Sequence, residues 1–331
     1  VTRDPIPEPL RLALTADLTV PVDPVTGELT DMLAESFGSS TRALLHYGSR
    51  AQGRKPRVDS AYDYFAIVDD NRAAYESLRA TVGTSYSPGM ATALASRLPP
   101  NVIAVSRIVR GEALIAKCCV ISTADWRHAC SPDARDHFCH GRLMQVARLV
   151  WARDEESRDM VGTVMAGVRA HTFVWSRPML PAEFTVDEYL VAMVRRSLAG
   201  EIRPETGDHA RTLVESQVDE LAAIYRPLLD ARVADGALVL ARAGVFGLPS
   251  PVPARERSRW AWYFRRSKAR TTVRLFKHVA LFENWLDYIV RKLERSGNAP
   301  VELTPRERRW PLIFLWPRFF RFLRTRSQRQ Q

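Results

Sequence analysis

The stretch from His46 to Asp70, HYGSRAQGRKPRVDSAYDYFAIVDD, carries the residue types that phosphate and metal chemistry needs. Leu44 to Tyr47 reads as a buried apolar strand. Gly48 then lets the backbone turn sharply enough for its N–H groups and the Ser49 hydroxyl to face a phosphate. Arg50, Arg54, Lys55 and Arg57 follow at once. From Asp63 to Asp70 strand alternation puts Asp63, Phe65, Ile67 and Asp69 on one face. Six residues at about 3.3 Å each separate Asp63 from Asp69 by roughly 20 Å, so the two cannot share one metal ion. Asp63, nearest the Gly-Ser turn, is the candidate magnesium ligand. The competing reading is an ordinary basic turn between two strands, each stopped by an aspartate.

A second charged group lies farther along. Thr185-Val186-Asp187-Glu188 has the form of a capping box and predicts a helix running through Leu190, Met193 and Val194 to Gly200. Glu201 and Arg203 come immediately after it. Asp208 reads as the cap of a further helix that carries Leu213, Val214, Val218, Leu221 and Ile224 towards the core. A helix N-terminus offers free N–H groups and partial positive charge to an anion, and Arg211 falls in this first turn. Glu201, Arg203 and Arg211 could therefore supply a second acid and two phosphate clamps. The alternative is a solvated salt bridge beside an ordinary cap.

The elements that must position these groups are partly legible. Residues 98–123 predict two short β segments around an Arg110-Gly111 turn. Trp126 to Ala152 reads as mainly helical, with Arg142 and Gln145 of the segment HGRLMQVARL on one side. Cys118, Cys119, Cys130 and Cys139 suit a reducing compartment. They lie near His128, His137 and His140, but no finger-like spacing relates them, so buried side chains without a metal are the expectation.

Charge is unevenly placed. The 331-residue chain carries a net +11, yet residues 255–331 hold 20 Lys+Arg against 6 Asp+Glu, a net of +14 that leaves −3 on residues 1–254. An anionic partner is therefore expected at the C-terminal quarter. Thr271 to Arg295 predicts an amphipathic helix whose apolar stripe packs on the body. The segment RRWPLIFLWPRFFRFLRTR (308–326) interleaves Trp310, Phe314, Trp316 and Phe319 with arginines including Arg318 and Arg321. Pro311 and Pro317 cut it into pieces shorter than the ~20 apolar residues of a membrane span, which suits an anionic membrane surface better than a nucleic-acid groove. The N-terminus lacks the plan of a signal peptide, so the expected location is cytoplasmic, peripheral on the inner face of the membrane.

The hydrophobic-Gly-Ser turn preceding an acid-bearing strand resembles the nucleotidyltransferase superfamily, with Phe65 standing where a second acid is usual. More specifically, YGSR (47–50), YDYFAIVDD (62–70), LPPNVI (98–103), CVIS (119–122), HGRL (140–143) and SLAGEIR (197–203) are similar, in order and spacing, to the mitochondrial-type phosphatidate cytidylyltransferases. These form the translocator assembly and maintenance family of CDP-diacylglycerol synthases. The resemblance covers about residues 40–230. It implies a magnesium-dependent enzyme joining CTP and phosphatidic acid into CDP-diacylglycerol and pyrophosphate. Carried over, Gly48, Ser49, Arg50 and Arg211 would meet the nucleotide. Asp63 and Glu201 would hold the metal, with Arg203 beside them in the family's Gly-Asp-x-Arg segment.

The resulting expectation is an α/β (α+β) protein. A nucleotidyltransferase-like mixed-sheet lobe over 35–125 follows an N-terminal extension over 1–34. A mainly helical lobe over 126–250 completes the site, and a basic amphipathic membrane-surface region occupies 251–331. Two other readings stay open: a nucleotidyltransferase acting on a soluble or RNA acceptor, and a catalytically degenerate nucleotide-binding protein at the membrane.

Overall fold

In the computed structural model, which describes residues 5–53, 61–200 and 207–281 with Thr304 and Arg306, the side chains at 207–208, 275–276 and 278–280 lie outside the description. Helix α1 (Glu8–Thr15) runs into a 3-10 turn (Ala16–Thr19), and α2 (Pro24–Phe37) starts where the Asp23 carboxylate accepts from Thr26 N. The first sheet strands are β1 (Thr41–Tyr47) and β2 (Tyr62–Val68). Helix α3 (Asn71–Val82) is capped by Asp70 and α4 (Pro88–Arg97) by Ser87. A hairpin of β3 (Asn101–Val109) and β4 (Glu112–Ser122) follows. Its loop is Arg110-Gly111, both at positive φ, the two-residue turn whose twist matches that of the strands it joins.

Short helices α5 (Thr123–Ala129) and α6 (Phe138–Leu143) lead into β5 (Ala147–Ala152) and the long α7 (Glu155–Ser176). Next come β6 (Glu183–Thr185), α8 (Val186–Ala199), α9 (Gly207–Glu215), α10 (Val218–Ala234), β7 (Val239–Arg242), β8 (Val245–Gly247) and α11 (Ala254–Leu281). Among the described residues, β3-β4-β2-β1-β5 form a mixed five-stranded sheet in which β2 and β4 are parallel, and β6-β8-β7 form a small antiparallel one.

β1 and β2 are almost continuously apolar because both sheet faces are covered. One face, with Tyr64, Ala66 and Val120, packs on Leu29, Leu33 and Tyr75 of α2 and α3. The other, with Leu45, Phe65 and Ile121, packs on Trp126, Leu143 and Met165 of α5 to α7. A third cluster joins α7, α8 and α10 through Trp175, Tyr189 and Tyr225.

Several expectations are corrected. Ala147–Ala152 is the edge strand β5 paired to β1, not helix: the open side of β1 demands a backbone partner, and that tertiary need outweighs local propensity. The helix expected over 208–224 starts at Gly207 and breaks at Gln217, whose side chain accepts from Val146 N (3.2 Å) and donates to Leu213 O (3.0 Å). Helix α11 begins at Ala254, well before Thr271. Its buried stripe of Trp260, Phe264, Ser267, Arg274, Lys277 and Leu281 includes two cations that hide the periodicity. Arg270 and Arg274 bond Asp136 (2.8 and 3.0 Å), and Lys277 donates to Pro100 O (2.9 Å), so this part of the basic quarter is docked on the body. The Thr185 capping box and the end of α8 at Gly200 are as expected. The tail residues Trp310, Phe314, Trp316, Arg318, Phe319 and Arg321 lie outside the described residues.

The N-terminal segment is tied into the fold by a buried ion pair. Arg169, fully buried on α7, gives both Nη atoms to Asp17 (2.5 and 2.7 Å), and its other bonds go to Leu14 O (2.6 Å), Gln145 O (3.0 Å) and Leu143 O (3.3 Å). Asp17 Oδ2 also accepts from Ala147 N (2.9 Å), at the start of β5. A buried pair of this kind is costly to break from one side, because the partner is left charged in a dry site. Arg169→Met is expected to destabilise the fold by about 3–5 kcal/mol in urea unfolding, and Asp17→Leu added to it should recover part of that loss.

Candidate functional site

The Gly-Ser turn and the strand carboxylate meet. Tyr47 pairs with Asp63 across the antiparallel β1–β2 ladder, so their side chains share the face that also bears Phe65 and Cys119. The chain then turns at Gly48 with φ +83°, and a Cβ built there would lie 2.8 Å from Asp63 Oδ2. Two independent constraints thus require glycine: the left-handed backbone and the carboxylate pressed against its Cα. The turn is closed by Gln52 N donating to Gly48 O (3.1 Å), with Ser49 half-buried between them. On the opposite face of the ladder His46 Nδ1 donates to Asp63 O (3.1 Å), and burial pushes this imidazole down to about 4, keeping it neutral.

A cation that sequence reasoning missed lies in the same row. In the parallel β2–β4 ladder Asp63 is in register with Lys117, so the ammonium stem rises from the sheet beside the carboxylate. Lys117 is half-buried and is the one charged side chain of its strand face, between Ile115 and Cys119. The alternation of 112–122 could have placed it on that face. Its register with Asp63 could not be read, because no local signal says that β4 pairs with β2.

Other parts gather at the rim. Arg142, at the end of α6, stacks on Phe138 (3.7 Å) and donates to Phe138 O (2.9 Å). Its positive charge acts on the buried Tyr47 hydroxyl and Cys119 thiol, which bond each other at 3.2 Å and which burial pushes up. Gln145 Oε1 accepts from Gln52 (3.1 Å) and Gln217 (3.4 Å), tying the Gly-Ser turn to the helical region through amides.

The remaining expected residues are placed as follows. Arg50 donates to the Tyr62 hydroxyl (3.0 Å) and its guanidinium lies over the Tyr62 ring (4.1 Å), whose side chain belongs to the other face of the sheet from Asp63. Arg211 is exposed on α9, and no described contact joins it to the row. Glu201 and Arg203 lie outside the described residues. Asp69 is held by Arg153 (2.6 Å) and Arg42 (3.5 Å) at the far end of the strand, in keeping with its separation from Asp63.

All four cysteines are buried and free, and among the described residues no group of three or more His, Cys, Asp or Glu could hold a metal ion. The histidines instead form an aromatic stack: His137–His140 and His140–His171 ring centroids are 5.8 and 5.7 Å apart, with Trp175 and Phe264 against His137. Asp63 is the carboxylate that the β1–β2 ladder places beside the Gly48 turn. That fits magnesium, which is held through one or two carboxylates with substrate phosphates and water completing its shell.

No protein-family model matches this chain, and a search of curated proteins finds no match to it. No helix among the described residues is long and apolar enough to cross a membrane.

Proposed function

We propose that this chain is a magnesium-dependent phosphatidate cytidylyltransferase, transferring the cytidylyl group of CTP to phosphatidic acid and releasing pyrophosphate, as its resemblance to the CDP-diacylglycerol synthases implies. The observation that supports it most directly is the approach of Gly48 to Asp63, with Lys117 alongside. A phosphate cradle, a metal ligand and a counter-charge are the minimum that this reaction asks of a protein.

The acceptor needs no general base. A phosphate monoester has its second pKa at about 6, so phosphatidic acid arrives ionised. One of its oxygens forms the new bond to the α-phosphorus of CTP as the bond to the bridging oxygen breaks, and that electron pair leaves on pyrophosphate. The difficulty is electrostatic, since two polyanions must meet and charge must move onto the leaving group. Backbone N–H groups at Gly48 and the Ser49 hydroxyl orient the triphosphate, and Lys117 offsets its charge. Magnesium bound at Asp63, with Glu201 as the second acid, would neutralise the phosphate oxygens. Arg203 and Arg211 are assigned to outer phosphates, and Arg50 to the mouth of the turn.

The exposed side of α11, with Arg255, Arg259, Arg265, Lys268 and the 66 % exposed Trp262, suits an anionic membrane, as does the basic aromatic composition of residues 310–321. The test is incubation with each labelled nucleoside triphosphate, magnesium and liposomes with or without phosphatidic acid. Lipid-linked label is expected only with CTP and phosphatidic acid together. Equal incorporation without the lipid, or transfer to glycerol phosphate or an RNA end, would replace this reading.

A further inference from the structure

The face that carries Asp63 does not end at the site. Strand β4 overhangs the start of β2, which begins opposite Ala116, so residues 112–115 project beyond it and pair, among the described residues, with β3 alone. On the Asp63 side of this overhang stand Lys117 opposite Ala104, then Ile115 opposite Ser106, then Ala113 opposite Ile108. The alternation is clean. Ile103, Val105 and Val109 are buried on the other face, whereas Ile115 is 43 % and Ile108 70 % exposed. The solvent side of a two-stranded overhang is ordinarily polar. Here it bears two isoleucines on neighbouring strands in diagonal contact range, flanked by alanines, with no charged side chain between them and Lys117.

We propose that this ledge is the acceptor's apolar subsite: it receives the glycerol and first acyl carbons of a membrane phospholipid monoester whose phosphate lies at Lys117 and Asp63. The inference rests on the cytidylyltransferase reading and deepens it by locating the lipid. Its warrant is continuity. Ile115 is two residues from Lys117 along one strand, about 7 Å, and the Ala113–Ile108 pair is about 7 Å farther. A ligand with an anionic head and a greasy body finds both in one line on one rigid surface, cationic end innermost. A soluble phosphate acceptor has no use for the outer half. The ledge also orients the lipid, because the head can reach the row only when the chains run out along the hairpin towards the Arg110-Gly111 tip.

The experiment uses the full chain carrying Ile115→Trp and vesicles of phosphatidylcholine with phosphatidic acid. Bromine is placed either on the acyl chains of the phosphatidic acid or, at equal content, on those of the phosphatidylcholine. Fluorescence beyond that of the parent protein is expected to be quenched by brominated phosphatidic acid far more than by brominated phosphatidylcholine. In parallel, Ile108→Ser/Ile115→Ser should raise KM for vesicular phosphatidic acid by about tenfold or more while leaving KM for CTP unchanged. Equal quenching by the two lipids would make the hairpin a general bilayer contact and overturn the subsite, as would an unchanged KM for the lipid. Selective quenching in a protein that forms no lipid-linked nucleotide would sink the reaction and keep the ledge. Intact transfer with no added quenching would sink the ledge alone.

Discussion

Asp63→Asn is expected to lose about 10³-fold of magnesium-dependent CTP turnover, roughly 4 kcal/mol of transition-state stabilisation, with little change in thermal stability. The substitution keeps volume and shape, so the close contact with the Gly48 Cα survives. The backbone bond from His46 to the Asp63 carbonyl is likewise untouched. On the proposed reading, what disappears is the negative charge that would hold the cation against the nucleotide's phosphates. Loss of rate should therefore appear in kcat and in the magnesium dependence, because the substitution leaves the Gly48 turn proposed to meet the nucleotide in place. The neighbouring Lys117 sharpens the test: with the carboxylate gone, an ammonium in register on the next strand still attracts triphosphate, so CTP binding without turnover is the expected signature. Turnover unchanged in Asp63→Asn would place the chemistry elsewhere or leave the chain a nucleotide-binding scaffold.

The second large effect is on stability against acid. His46, His137, His140 and His171 are all buried, and burial is the main cause that lowers each. His46 and His140 are pushed down to about 4 and His171 to about 3. At His137 the neighbouring imidazoles and Arg196 and Arg142 add to the effect. Both ring nitrogens of His137 and Nδ1 of His140 are buried without a hydrogen-bond partner among the described residues, so no described group is poised there to accept from an imidazolium. The unfolded chain takes up these protons from about pH 6.5 downwards, while the folded chain refuses them until about pH 4 or below. The stability associated with the neutral rings is thus complete above pH 6.5 and is lost as pH falls towards 4. Each ring costs about 2 kcal/mol between pH 7 and pH 5, and four together approach the ~5–15 kcal/mol that a folded domain has in hand.

Lys277 acts in the same sense at higher pH. Burial lowers it to about 7, so unfolding gains a proton throughout the range between that value and its ordinary 10.5. Stability should therefore rise from pH 7 towards pH 9. Urea midpoints measured from pH 9 to pH 5 are expected to fall steeply below 6.5, and His171→Phe should reduce the slope there by about 1.4 kcal/mol per pH unit. A flat profile between pH 7 and pH 5 would contradict neutral burial of the stack.

The wall that α11 makes against this stack explains how a strongly basic segment joins a core. Ser267 Oγ accepts from His137 N (2.9 Å), and Asp136 takes Arg270 and Arg274, so the docked side of the helix contributes its cations to one half-buried carboxylate and to backbone carbonyls. The charge excess of residues 255–331 points to an anionic surface without saying which side of a helix would meet it. The packing divides α11 into a docked side and an exposed basic side.

Local chemistry alone determined the parts whose cause is local. The Arg110-Gly111 hairpin follows from a glycine free to take positive φ between alternating strands, with Arg110 drawn into the same region beside it, and helix α8 from a capping box whose two bonds are made within four residues. The Gly48 turn and the face occupied by Asp63 follow from glycine's freedom and the period of two. Tertiary structure alone decided which strand lies beside which. Lys117 becomes a partner of Asp63 only because β4 pairs with β2 in that register, and Ala147–Ala152 becomes a strand only because β1 has an open edge. It also decided that Asp17 and Arg169, 152 positions apart, form one buried pair. Contacts of that span depend on the whole sheet being assembled, and no window of sequence carries the free energy that selects them.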